Sequence, residues 1–300
     1  MELSKLRSQN RTYFVFGAKG RFGSSFVQIL TNERFDVKRY GSIDFERGLY
    51  DFGESLKEGQ KCTLIWCFGR GTSFEEEDRN SQEYKMLQRL HFTISRVNKT
   101  PNFSRFIYMS TGGKMYGVNP GKVTERSTVS PVGSYGHEKK MCEDLIRENI
   151  SNVFGQTFIF RIANAYTFSL SNENPRGIVE NCLHAIRNDM NVNLTVNSSS
   201  RRQYASHFDY AKAILNQAEF LEESASHGTY NLSPDFSYDI AQIIDIFETH
   251  FRRKICFNMT DSDTLAPDSV LLECEKKTCM NTQTEWKTIE KNLQFANIPL

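Results

Sequence analysis

A phenol and an ammonium stand one helical turn apart in SPVGSYGHEKKMCEDLI, where Tyr135 precedes Lys139 by four residues. Side chains four apart on a helix share a face, so the Lys139 ammonium can act on the Tyr135 phenol. A free tyrosine has a pKa near ~10 and is a poor base at neutral pH. An adjacent cation favours the phenolate and moves the group toward the range of general acid–base work. Upstream, RFIYMSTGGKMYG runs from a strand pattern into the hydroxyls Ser110 and Thr111 and then glycines. Downstream, FRIANAYTF is another strand pattern, ending in Asn164 and Tyr166. Both read as carboxyl ends of parallel strands, where open α/β sheets bind ligands.

A second constellation precedes these. After the strand pattern TYFVFG comes GAKGRFG, with Gly17, Gly20 and Gly23 spaced by three and running through Arg21 and Phe22 into an apolar helix. Glycine permits a tight turn and close backbone approach, while the helix start offers unpaired N–H groups and a positive dipole end to a pyrophosphate. A dinucleotide site is the functional reading. The spacing differs from GxGxxG, and the strand before and helix after are the context that supports the reading. The second strand pattern, FDVKRYGS, lacks the acidic residue that commonly binds the ribose 2′-hydroxyl of NAD; Asp44 comes late. Lys38, Arg39 and Ser42 could instead meet a 2′-phosphate, so NADP(H) is expected, with NAD the alternative. Beside a nicotinamide ring, Lys139 could also bond the ribose, and an oxidised ring would add a second positive charge near Tyr135.

Strand and amphipathic patterns alternate through the first half: 12–17, 24–30, 62–69, a polar helical region near 77–98, 105–111 and 156–164. This alternation predicts an α/β protein with a doubly wound parallel sheet covered on both faces. Helical patterns IVENCLHAIRN, FDYAKAILNQAEFLEE and YDIAQIIDIFETHF follow, with the strand pattern KICFNM and a terminal amphipathic TEWKTIEKNL. The expected division is a dinucleotide-binding domain over 1–165, with 200–232 returning to it, and a smaller interleaved α/β part over 166–199 and 233–300. The 300 residues, 39% hydrophobic and 24% charged, are those of an ordinary globular protein. A net charge of +1 gives no reason to expect nucleic acid or an anionic membrane as partner. The seven cysteines form no CxxC pair and the six histidines no ligand spacing, so reduced thiols and no metal are expected. Without an apolar stretch of signal-peptide or membrane-span length, a cytoplasmic location is expected.

In their order, FVFGAKGRFG, FIYMSTGGKMYG, SPVGSYGHEKKMCEDLI, FRIANAY, RRQYASHFDYAKAI and TYNLS resemble the extended short-chain dehydrogenase/reductase family, the NAD(P)-dependent nucleotide-sugar epimerases, dehydratases and ketoreductases. The resemblance covers most of the chain. It implies a Rossmann-like fold, Tyr135 as catalytic acid/base, Lys139 as its partner, and a hydroxyl from Ser110 or Thr111 polarising the substrate oxygen. The position where many members keep that hydroxyl falls on Gly112, which leaves Thr111 one residue early as the preferred candidate. Asn164 is implied at the substrate diphosphate, and Arg201 or Arg202 at the nucleotide end, where a planar guanidinium can donate two hydrogen bonds to phosphate. Asp209 reads as a structural helix-start carboxylate, and His137 as surface-facing. A homodimer through helices near 77–98 and 134–150 is also implied.

The family's shared chemistry is hydride exchange between nicotinamide and a sugar carbon. Dehydration would require an acid and a base where this chain has Gly112 and Gly113. The missing acid after the second strand, the short chain and the compact SIDFERGLYDF connection resemble the reductases. Reduction of a 4-keto nucleotide sugar by NADPH is therefore expected, with a C4 epimerase retaining NAD as the alternative. A non-catalytic NAD(P) sensor or scaffold is the reading outside enzymology, since fold alone does not establish catalysis.

Overall fold

The structure is a computed structural model that describes residues 11–69, 77–97, 104–117, 121–168, 175–195, 200–222, 227–260, 270–275, 285–296 and 298. Six strands form one parallel sheet: β1 (Arg11–Phe16), β2 (Asp36–Tyr40), β3 (Lys61–Trp66), β4 (Arg105–Thr111), β6 (Gln156–Ile162) and β10 (His227–Leu232). Their order is β10-β6-β4-β3-β1-β2. Register places Phe16 beside Tyr40 and Trp66, and Thr111 beside Ile162, so the carboxyl ends share one edge.

The continuous apolar strands are explained by burial on both faces. In β1, Tyr13 and Val15 enter one core cluster and Phe14 and Phe16 the other; in β4, Ile107 and Met109 oppose Phe106 and Tyr108. The first face is covered by α1 (Arg21–Asn32) and α6 (His207–Glu222). The second is covered by α2 (Phe45–Lys57), α3 (Glu77–Ile94) and α4 (Gly133–Glu148). A separate core joins α5 (Gly177–Asn188), α7 (Ile240–Phe251) and α8 (Ile289–Phe295). Asp239 caps α7 through a reciprocal capping box with Gln242.

Three short parallel pairs complete the described strands: β5 (Gly121–Val123) with β12 (Val270–Leu272), β7 (Asn164–Tyr166) with β9 (Tyr204–Ser206), and β8 (Val192–Thr195) with β11 (Phe257–Thr260); β11 falls on the expected KICFNM strand and β7 on the end of FRIANAYTF, while β5, β8, β9 and β12 have no counterpart among the expected elements. The first two have only three residues per strand, too few to show an alternating pattern. The expected strand over 156–164 is divided at Ala163, where the chain leaves the sheet for β7.

A buried polar network fixes the edge of the sheet that carries Thr111. Glu143 on α4, with no exposed surface on its side chain, accepts from Ser110 Oγ (2.6 Å), Arg161 Nε (3.0 Å) and Arg161 Nη2 (2.7 Å), and it also pairs with Arg147. Arg161 Nη1 donates to Tyr116 Oη (2.9 Å), which donates to Asn231 Oδ1 (2.7 Å). β4, α4, β6 and β10 are thereby joined through hydrogen-bonded charges, the arrangement that buried ions require.

Candidate active site

Gly17 opens the first turn with φ +82, and its N–H donates to Tyr40 O at 2.8 Å. A Cβ there would stand 2.6 Å from the Cys67 backbone, and one on Gly23 would stand 2.1 Å from Gly17 O. Only glycine fits either place, and the turn delivers the chain to α1 with no side-chain cap at Gly20. The first-turn N–H groups of Arg21, Phe22 and Gly23 thus form an uncapped positive end. The Arg21 guanidinium is directed elsewhere, to Glu180 of α5 at 3.0 Å. Burial lowers its pKa, against the pull of Glu180. Phe22 packs edge-on against His207 at 4.5 Å.

A cavity of about 210 Å³ lies beside this turn, lined by Phe22, Cys67, Phe68, Gly69, Met109, Ser110, Thr111, Tyr135, Lys139, Ile162, Ala163 and Ala165. The ends of β3, β4 and β6 and the start of α4 therefore bring Tyr135, Lys139, Ser110 and Thr111 to one place. The Ser110 hydroxyl is engaged with Glu143, which leaves Thr111 the better placed of the two. Gly112 is explained by Leu272 of β12: a Cβ on Gly112 would stand 2.3 Å from Leu272 Cδ1 and 2.9 Å from its Cγ. Gly112→Ser is expected to destabilise the protein by about 1–3 kcal/mol through overpacking, and Leu272→Ala in the same chain to relieve most of that overpacking. Urea unfolding of both variants and of Leu272→Ala alone checks this; a Gly112→Ser midpoint equal to wild type would refute it.

The expected lowering of the Tyr135 pKa is reversed. Burial raises it above the usual tyrosine value, and Lys139 offsets this only in part. The reason lies in what Lys139 touches: Glu83 of α3 at 2.9 Å, Tyr108 Oη at 3.2 Å and Met109 O at 3.3 Å. Burial pulls the Lys139 pKa down, but Glu83, Tyr135 and Cys142 outweigh it, and the ammonium stays charged. Its charge is spent largely on Glu83, and its Nζ lies 5.9 Å from the Tyr135 ring centroid.

At the far end of the turn, Lys38 lies over the Phe14 ring at 5.0 Å and donates to Ser55 Oγ at 3.5 Å, under α2. Arg39 donates to Thr31 Oγ1 at 3.2 Å. Ser42 is exposed beside Gly41. The basic group missed from the sequence is Lys19, inside the glycine turn: its Cδ is 3.9 Å from where a Cβ on Gly41 would be, with the Asp44 carboxylate at 4.0 Å. The GAKG spacing could have signalled it.

Asn164, Arg201 and Arg202 do not line the cavity. Asn164 Nδ2 donates to Gln203 O at 3.1 Å, Arg201 donates to Ser237 O at 2.6 Å and pairs with Asp239 at 3.2 Å, and Arg202 bridges to Tyr238 through its backbone. Lys114, in the loop after β4, has its pKa lowered by burial and by Arg202. Asp209 accepts from Ser206 Oγ at 2.7 Å and Asn292 at 3.0 Å, while His137 is exposed. Among the described residues no cluster of three His, Cys, Asp or Glu could hold a metal ion, and no helix is long and apolar enough to cross a membrane.

The family model for the NAD dependent epimerase/dehydratase family matches residues 62–233. A dTDP-4-dehydro-6-deoxyglucose reductase from Escherichia coli is 22% identical over 247 residues, 82% of this chain and 77% of its own. The fold is similar to that of a Thermus thermophilus UDP-glucose 4-epimerase complexed with NAD, with TM-score 0.75, 13% identity and coverage of 95% of this chain and 96% of that one. It is likewise similar to a dTDP-4-dehydrorhamnose reductase from Clostridium acetobutylicum, with TM-score 0.74, 15% identity and coverage of 96% and 100%. With more than half of the chain matched and the parallel sheet, glycine turn and Tyr135/Lys139 cavity in the family's order, the chain belongs to the NAD dependent epimerase/dehydratase family, within the extended short-chain dehydrogenases/reductases, and is an enzyme of its reductase and epimerase class.

Proposed function

We propose that the protein reduces a 4-keto nucleotide sugar with NADPH. The observation that carries this reading is the cavity that joins Thr111, Tyr135 and Lys139 beside the glycine turn. The donor set fits a dinucleotide: uncapped N–H groups at α1 take the pyrophosphate, and Lys19, which reaches Gly41 alongside the Asp44 carboxylate, supplies a cation for a 2′-phosphate. When bound, NADPH supplies the hydride. Tyr135, held protonated by burial, donates its proton to the substrate oxygen, to which Thr111 also donates a hydrogen bond. Lys139 orients the site beside Tyr135.

The substrate diphosphate is assigned to the side where Lys114 and Arg202 repel each other, since an anion between them would relieve that repulsion. Asn164 and Arg201 stand at the boundaries between the dinucleotide-binding domain, 1–165 with 200–232, and the smaller part over 166–199 and 233–300. Exposed Phe92 on α3 and Met141 on α4 support a homodimer through these helices.

The test needs no knowledge of the sugar. The purified protein is expected to show no retained nicotinamide absorbance, and fluorescence titration is expected to give at least tenfold tighter binding of NADPH than NADH, the order of one lost phosphate contact. Tightly retained NAD would instead establish the epimerase reading. Absence of binding to either cofactor would overturn both.

A further inference from the structure

Glu83 is a buried charge in contact with this machinery that the reaction as written does not use. It comes from within α3, is 5% exposed, and reaches Lys139 Nζ with each carboxylate oxygen at 2.9 Å. An ammonium has three protons to donate. With Glu83, Tyr108 Oη and Met109 O as acceptors, all three are in use. Lys139 therefore reaches Tyr135 or a ligand only by exchanging one of these bonds. The chain backbone makes room for the pair: Gly69 has φ +123, and a Cβ there would stand 2.7 Å from Glu83 Oε2 and 3.3 Å from Lys139 Nζ.

Resting on the cofactor and Tyr135/Lys139 reading above, we propose that Glu83 is a positioning residue, which clamps Lys139 on the α3 side of the cavity and cancels its charge. The site's preference between the cationic oxidised nicotinamide ring and the neutral reduced one, and its hold on the Tyr135 proton, are then set by the Glu83–Lys139 pair. The groups facing Tyr135 and Lys139 are Cys67 directly after β3, Tyr108 from β4, Glu83 from α3, and Glu138 and Cys142 from α4. Cys67, Tyr108 and Cys142 are neutral at working pH, each pushed up by burial. Glu138 is raised to about 7 by burial and by Glu83, and its Oε1 has no hydrogen-bond partner among the described residues. Glu83 thus supplies the anionic counterpart of Lys139, with Glu138 half-charged near neutrality.

Replacing Glu83 by glutamine adds one net positive charge while keeping shape. Across several ångströms in a partly buried site, one unit charge shifts an equilibrium by roughly tenfold or more. The experiment titrates wild type and Glu83→Gln at pH 8 with NADPH and with NADP⁺, and follows the phenolate ultraviolet band of the free proteins against pH, with Tyr135→Phe assigning the signal. Expected are a Kd ratio for NADP⁺ over NADPH at least about tenfold higher in Glu83→Gln, and a Tyr135 phenolate that forms at lower pH. A wild-type ratio with an unmoved phenolate overturns the proposal. Should wild type bind neither cofactor, the functional reading falls, and the phenolate titration still decides the role of Glu83. Should Glu83→Gln fail to fold, Lys139→Met is compared with the double variant Glu83→Gln/Lys139→Met. The double variant is expected to raise the NADP⁺ over NADPH ratio about tenfold relative to Lys139→Met, and equal ratios overturn the proposal.

Discussion

Tyr135→Phe is expected to lower turnover by roughly 10²–10⁴-fold, the range for loss of a positioned general acid or base. The substitution removes one oxygen and keeps the ring that lines the cavity. NADPH affinity is therefore expected to stay within about threefold, and stability within about 0.5 kcal/mol. The measurement is ketosugar-dependent oxidation of NADPH, followed with a panel of nucleotide sugars. Because burial holds the phenol protonated, wild-type reduction is expected to persist through neutral pH and to fall only in the alkaline range as the proton is lost. A variant that turned over at the wild-type rate would remove Tyr135 from the chemistry. A protein that kept its biological output without turnover would be a cofactor sensor.

Glu143→Gln is expected to destabilise the fold by about 3–5 kcal/mol, the cost of leaving a buried partner charge uncompensated. Arg161, with a side chain 3% exposed, would keep its guanidinium facing a neutral amide, and Ser110 and Arg147 would lose their common acceptor. Burial alone would raise the Glu143 pKa, but Arg161 and Arg147 hold it below its ordinary value of 4.5. A carboxylate with a lowered folded-state pKa contributes stability above its unfolded value, and that stability is lost as pH falls through the folded one. The gap between wild type and Glu143→Gln in urea midpoint should therefore be full at pH 6–7 and shrink below about pH 4.5. A gap under about 1 kcal/mol at neutral pH would show that the network is not a stability element.

What was legible in the sequence is what neighbouring positions encode. The alternation of strand and helix patterns places the parallel sheet, because strands buried on both faces must be apolar throughout, and the GAKGRFG turn is flanked by its strand and helix. Tyr135 and Lys139 share a helix face by spacing alone. The electrostatics of that pair were not legible: burial of the phenol reverses the expected shift of Tyr135, and Glu83, arriving from another helix 56 positions away, adds to it and occupies Lys139. Arg21 had the right address but a different partner, since Glu180 lies on a helix whose approach no local pattern predicts. Lys19 was overlooked between two glycines because its relevance depends on where β2 ends. Gly112 looked like a defect in the hydroxyl position, and Leu272 explains it only after β12 pairs with β5.

The β5–β12 pairing also joins distant parts of the chain. The loop that carries Gly112 to Gly117 receives its cover from Leu272, and Glu125 receives the Glu275 N–H from 150 positions later. The corner around Gly112 is thus roofed by a segment near the far end of the chain, so a chain cut before β12 would leave Met115 and Tyr116 without Leu272 to pack on.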